Sequence, residues 1–196
     1  LRRLARSTEA KPLYEQSLAL CQEIGDRKGE GTTLNNISQI YRAWGEYDEV
    51  LKYLEQSLEI SKEIGDRAGE GTTLNNIAGI HLEQGDYDEA LKYLEHSLQI
   101  RREIGDRAGE GTTLNNISHI YMAWGDYDKA LKYLQQSLEI FQEIGDRAGE
   151  GTTLNNIGRV YRVWGDNTKS LQYYEQSLEI RREIGDRDGE GTTLNN

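Results

Sequence analysis

GTTLNNISQIYRAWGEYDEVLKYLEQSLEISKEIGDRAGE, residues 31–70, decides the fold. Its first half places Leu34, Ile37, Ser38 and Tyr41 at i, i+3, i+4 and i+7, which is one stripe of a helix. Gly45 then interrupts, as a glycine at a helix C-terminus does. Glu46, replaced by Asp86, Asp126 and Asp166 further on, puts an acidic residue where a second helix begins and its dipole favours negative charge. Val50, Leu51, Leu54, Leu58 and Ile60 continue at helical spacing, and the run extends to Ile64. Gly65 stops it, and Asp66 is placed to cap the next helix. The stretch is therefore two antiparallel helices, A and B, joined by a short turn. No segment alternates apolar and polar residues as a half-buried strand would.

The same unit recurs at 71–110, 111–150 and 151–190, with a partial unit at 1–30 and the start of another at 191–196. Within it, EIGDRAGEGTTLNNI is identical at 63–77, 103–117 and 143–157, and near-copies occupy 23–37 and 183–196. A lone helical pair cannot cover its apolar stripe, so neighbouring units must stack into one array. The expected architecture is an all-α, right-handed superhelical α-solenoid spanning 1–196. Hydrophobic content of 36% suits such a thin array better than a deep core.

Here the unit resembles the tetratricopeptide repeat. Leu34, Ile37, small Ser38, Tyr41, Gly45, Tyr47, Val50 (Ala90, Ala130), Leu54 and Ser57 match that family's pattern. Two departures matter: the usual unit has about 34 residues and a proline after helix B. The six added residues should lengthen helix B by roughly one and a half turns at ~3.6 residues per turn. The 40-residue unit with GDRAGEG between copies resembles the repeats of Leu-Gly-Asn-type spindle-orientation scaffolds. The TLNN stretch resembles kinesin light chain repeats, and similar arrays occur in multidomain bacterial regulators.

Several function classes find no support. A Walker loop needs G-x-x-x-x-G-K-[ST]; Gly65 and Gly71 are six apart and no lysine follows. The three histidines, His81, His96 and His119, lie in different units, and DYDE at 86–89 lacks an EF-hand loop. No nucleophile–base pair is marked. The expectation is a non-enzyme without metal or cofactor. The net charge of −11 argues against nucleic acid as a partner. No apolar run approaches the ~18 residues of a membrane span. A single cysteine, Cys21, fits a reducing, cytoplasmic setting.

The asparagines point to a partner. At ~100° per residue with Leu34 at zero, Thr32, Asn35, Gln39 and Arg42 cluster near ~120°, with Asn36 at the border. In repeats of this kind that side of helix A lines the concave surface. Asn36, Asn76, Asn116 and Asn156, flanked by Asn35, Asn75, Asn115 and Asn155, should form a ladder of amides along the groove. Each carboxamide offers donors and an acceptor to a peptide backbone, whatever the peptide's side chains. The scaffold and kinesin light chain resemblance implies the same role for the Asn36 position. The competing reading is that these amides bond to neighbouring helices and hold the array together.

After GTTLNNI the units diverge. Gln39, Gly79, His119 and Arg159 share one position; Arg42, Leu82, Met122 and Arg162 share another. These are candidate side-chain readers, with an apolar centre at Leu82 and Met122 and basic ends at Arg42, Arg159 and Arg162. Ser61, Arg101, Phe141 and Arg181 also vary and are expected at exposed sites of helix B. Where the spindle scaffolds tend to carry arginine just after GEG, this chain has Thr32, Thr72, Thr112 and Thr152. Trp44, Trp124 and Trp164 should pack over the A–B turns.

The function expected is a protein-interaction scaffold that holds an extended peptide. The alternatives are a self-associating structural spacer or a regulatory module of a larger protein. In the partial first unit, helix B should start near Ala10, with Pro12 in its first turn. Neither end carries a polar cap, so head-to-tail association through the end faces is a further expectation.

Overall fold

The computed structural model describes residues 2–196, with side chains from residue 10 onward. Among the described residues every regular element is a helix. They run α1 (Arg2–Ile24), α2 (Arg27–Trp44), α3 (Tyr47–Glu63), α4 (Arg67–Gln84), α5 (Tyr87–Glu103), α6 (Arg107–Ala123), α7 (Tyr127–Ile144), α8 (Arg147–Trp164), α9 (Asn167–Glu183) and α10 (Arg187–Leu194). The chain divides into two compact units, 1–104 with α1–α5 and 105–196 with α6–α10.

In the first unit each helix packs on the next, and the A helices α2 and α4 also touch. Its core joins Ile37 and Tyr41 of α2, Val50 and Leu54 of α3, and Ile77 and Ile80 of α4, with Trp44 and Tyr47 packed at its edge. All of these core residues but Ile80 hold positions of the apolar stripes; Ile80, the counterpart of Ile40, lies off the helix A stripe and is buried as well. In the second unit the same pairing runs from α6 to α10, and α6 touches α8. Its core combines Ala130, Leu134 and Leu138 of α7 with Leu154, Ile157 and Val160 of α8 and Ile180 of α9. Stacked antiparallel helix pairs joined by tight turns are the α-solenoid arrangement in each unit.

The turns work as the sequence suggests. Gly25, Gly45, Gly65, Gly85, Gly105, Gly125, Gly145, Gly165 and Gly185 all have positive φ, the left-handed conformation that only glycine adopts cheaply. Asp26, Asp66, Asp106, Asp146 and Asp186 each cap the following helix through a bond from a backbone N–H three residues on. At the second turn, Asp126 and Asp166 accept from Lys129 and Lys169 N–H, whereas Glu46 and Asp86 make no side-chain cap.

Two expectations about length are corrected. Helix A starts at Arg27, directly after its cap Asp26, so A has 18 residues and B 17. The added residues therefore lengthen both helices rather than helix B alone. The first helix begins at Arg2 and includes Pro12 in its interior rather than starting near Ala10. A proline inside a helix removes one backbone bond without forcing the helix to end.

Trp44 makes an edge-to-face contact with Tyr41 at 5.2 Å and Trp124 with Tyr121 at 5.4 Å, each next to its A–B turn. Trp124 and Trp164 keep much of their rings exposed. No described helix is long and apolar enough to cross a membrane.

Candidate functional site

The repeated string resolves, residue by residue, into packing and bonding devices. Glycine sits where helices come close: a Cβ on Gly71 would lie 3.4 Å from Ile100 Cγ2, and one on Gly69 would lie 2.9 Å from Ser61 Oγ. The Gly69 N–H donates to Asp66, and this bond is the largest cause holding the Asp66 carboxyl below its ordinary pKa, with Lys28 adding to it. Arg67 reaches Glu70 on its own helix at 2.5 Å and Glu103 on α5 at 2.5 Å. Arg27 bridges Glu30 and Glu63 the same way, as do Arg107 with Glu110 and Glu143, and Arg147 with Glu150 and Glu183. Glu70 is 4% exposed and Glu110 6%, so the arginine supplies a counter-charge to a buried carboxylate.

Behind this ion pair lies a buried polar node that connects three helices. Ser57 Oγ of α3 donates to the Gly31 carbonyl of α2 at 2.8 Å. Asn35 Nδ2 of α2 donates to Ser57 Oγ at 2.6 Å and to Thr73 Oγ1 of α4 at 2.7 Å. The second unit repeats it. Ser137 Oγ donates to the Gly111 carbonyl at 2.8 Å, and Asn115 Nδ2 reaches Ser137 at 2.7 Å and Thr153 at 2.8 Å. Ser97 and Ser177 bond to the Gly71 and Gly151 carbonyls in the same way.

The outer asparagines join this lattice. Asn76 Nδ2 donates to Asn35 Oδ1 at 3.0 Å, Asn156 Nδ2 to Asn115 Oδ1 at 3.1 Å, and Asn196 Nδ2 to Asn155 Oδ1 at 3.0 Å. Of the expected groove residues, Asn36 and Gln39 are exposed, and Asn75, Asn76 and Asn116 are half-buried. Asn115, Asn155 and Asn156 are buried. Asn36, Gln39 and Asn76 border one crevice of about 440 Å³ in the first unit, with Asn35, Thr32 and Thr72 beside them.

The reader positions separate. Arg42 is paired with Glu83 across the A helices. Arg162 donates to the Asn196 carbonyl at 2.7 Å. Met122 is partly packed against the core of the second unit, and Leu82 is half-buried. His119 is half-buried beside Asn156 and Arg159, and desolvation first, then the Arg159 charge, lowers its pKa.

One expectation fails. Ser61, Phe141 and Arg181 are not exposed helix B residues; they are 5%, 4% and 8% exposed. Their variation from copy to copy suggested exposure, but this edge of helix B is covered by the N-terminal turns of two A helices. The sequence reading also gave no role to Ser57, Thr73, Arg67 or Glu103, although their recurrence every 40 residues was visible. Among the described residues no three His, Cys, Asp or Glu side chains gather as a metal site. Cys21 is a free thiol.

No curated protein matches. Solved structures do. BtubC (BKLC) from P. vanneervenii is 25% identical, with a TM-score of 0.78 over 92% of this chain and 75% of that one. A putative kinesin light chain with nearly identical TPR-like repeats from Podosopora anserina is 18% identical, with a TM-score of 0.68 over 92% and 89%. A Rap protein complexed with competence and sporulation factor is 17% identical, with a TM-score of 0.85 over 96% of this chain and 53% of that chain. The tetratricopeptide repeat profile matches residues 1–63, 69–143 and 110–183, and the chain therefore belongs to the tetratricopeptide repeat family.

Proposed function

We propose that this chain is a protein-interaction scaffold whose A-helix face receives an extended peptide segment of a partner. The observation that carries the reading is the crevice in the first unit, rimmed by Asn36, Gln39 and Asn76 at the positions expected to meet a ligand. Asn76 already gives its Nδ2 to Asn35, so its part in binding is to accept from a peptide N–H through Oδ1. Asn36 is exposed and offers donors as well as an acceptor. Asn116 and Asn156 hold the equivalent repeat positions in the second unit, where Asn156 is the more buried. Gln39, Arg42, Leu82, His119, Met122, Arg159 and Arg162 then read side chains. The structural likeness to a Rap protein complexed with a factor adds support by analogy of fold.

A peptide display library selected against the immobilised chain tests this. Enriched peptides should bind the Asn36→Ala, Asn76→Ala double variant at least about fivefold more weakly, since each lost hydrogen bond is worth about 0.5–1.5 kcal/mol. Unchanged affinity in a variant with native circular dichroism defeats the proposal.

A second reading, a structural spacer, draws on the inner asparagines, whose amides bond within the stack. It predicts that the library returns nothing and that light scattering finds the chain associating only with itself.

A further inference from the structure

The position held by Ser61, Arg101, Phe141 and Arg181 is a slot between two helices, and its occupant differs from copy to copy. On α7 the Phe141 ring fills it. A Cβ on Gly111 would come within 2.8 Å of Phe141 Cζ, and one on Gly149 within 2.4 Å of its Cδ1. The ring therefore spans the gap between α6 and α8, flanked by two glycines. On α9 a long side chain does the same: Arg181 bonds to Asp186 at 2.6 Å and crowds Gly189. On α5, Arg101 lies along Gly71 and bonds to Thr72 Oγ1 at 2.7 Å.

On α3 the slot holds only Ser61. The flanking glycines are kept, but a Cβ on Gly31 would meet nothing closer than Ile60 at 3.4 Å. The space a long side chain takes elsewhere stands open, and it is the crevice of about 440 Å³ lined by Gly31, Gly69, Ile60, Ser61 and Ile64. We infer that this slot receives an aromatic side chain of the bound partner segment, seated between Gly31 and Gly69 as Phe141 is seated between Gly111 and Gly149. The inference rests on the peptide-binding reading and adds a side-chain specificity to it.

Two features choose a neutral ring over a cation. The acidic group that holds Arg181 has its counterpart in Asp66, and Asp66 already pairs with Lys28 at 3.4 Å. Lys28 stands where Ala68, Ala108 and Ala148 stand in the other complete copies of the string, so the Ser61 slot has a lysine where the Arg101, Phe141 and Arg181 slots have alanine. A guanidinium or ammonium entering here would approach Lys28 and Arg27, whereas an aromatic face gains from a nearby ammonium. Bare glycine walls and an isoleucine floor suit a flat apolar group.

The probe is N-acetyl-phenylalaninamide, titrated into the full chain with backbone amide NMR as the readout and N-acetyl-alaninamide as control. The largest shifts are expected at Gly31, Ser61 and Gly69. Ser61→Phe, which plugs the slot from inside, should weaken the response at least about tenfold, and Ser61→Ala should keep it. Ser61→Leu serves as the plug if the phenylalanine variant does not fold. Phe141→Ala should open a second site with shifts at Gly111 and Gly149. Shifts scattered over the surface, or shifts that survive a folded plug variant, overturn the inference. Library peptides separate the two proposals. Enriched peptides without an aromatic preference, bound equally by the plug variant, defeat the slot and leave the groove standing. Probe binding at Gly31 and Gly69 with no peptide enriched defeats the groove reading and, with it, the assignment of the slot to a partner's side chain.

Discussion

Asn115 on α6 meets Thr153 on α8 side chain to side chain, Nδ2 donating to Oγ1 at 2.8 Å with both residues buried. The bond ties one A helix to the next, and a second bond from the same nitrogen reaches Ser137 on the intervening B helix. One carboxamide thus serves three helices, and its Oδ1 accepts from Asn156. Asn115→Ala leaves those partners buried and short of a bond. The expected loss is about 1–3 kcal/mol, read as a lower urea midpoint. Asn36→Ala, at an exposed site, should stay within about 0.5 kcal/mol of the parent. Equal midpoints for the two variants would remove the node from the account of stability.

His119 makes stability depend on pH. Burial first and the Arg159 guanidinium second hold its pKa below the ordinary value of 6.5, with the Asn156 side chain pulling the other way. With the folded pKa below the unfolded one, the unfolded chain binds the extra proton. The contribution is therefore fully present above about pH 6.5 and is lost as pH falls from there toward the folded pKa. Melting temperatures at pH 8 and pH 5.5 should differ less for His119→Gln than for the parent. Identical pH dependence in both proteins would show that the imidazole titrates the same folded and unfolded.

Arg107 holds two carboxylates of unequal exposure. Its Nη1 lies 2.6 Å from Glu110, whose side chain is 8% exposed, and its Nη2 2.5 Å from Glu143, which is 63% exposed. Arg107→Met takes a counter-charge away from a carboxylate that water scarcely reaches, whereas Glu143→Gln only loosens a rim contact. The arginine variant should melt well below the glutamate variant, and raising salt should narrow the gap between Glu143→Gln and the parent. An Arg107→Met protein as stable as Glu143→Gln would mean that Glu110 finds its compensation elsewhere.

The fold was legible in 31–70 because its information is local. Stripe spacing, αL glycines and capping aspartates each act within a turn or two, and the apolar positions became the core. The site was legible only in part. A helical wheel places Asn35 and Asn36 on one side of a helix but says nothing about what faces them there. Thr73 lies 38 residues beyond Asn35, and the bond between them depends on how closely two A helices pack. Ser61 was misplaced for the same reason: its edge of helix B looks free until the first turns of the next helix, capped by Asp66, close over it. The string that raised the prospect of phosphate chemistry carried the cue to its own role, since glycine, serine and arginine recurring at one interval mark contacts between copies.

The glycines of that string differ in what they permit, and this separates packing from helix propensity. Gly149→Ala would drive a methyl group to 2.4 Å from Phe141 Cδ1, a contact that must displace the ring or the helix. Overpacking of this kind costs about 1–3 kcal/mol, more than the roughly 0.5–1 kcal/mol that alanine contributes over glycine in a helix. Gly191→Ala meets nothing within 4 Å, so there the propensity acts alone and the variant should gain stability, by up to about 1 kcal/mol. Phe141→Ala removes the obstacle at the cost of a buried ring, about 3–5 kcal/mol. With the ring gone, Gly149→Ala should turn from harmful to neutral or favourable. The double variant should then be more stable than the sum of the singles by about 0.5–3 kcal/mol, the range for residues in contact. Additive losses across this cycle would show that α8 shifts to accommodate the methyl group without involving the Phe141 ring.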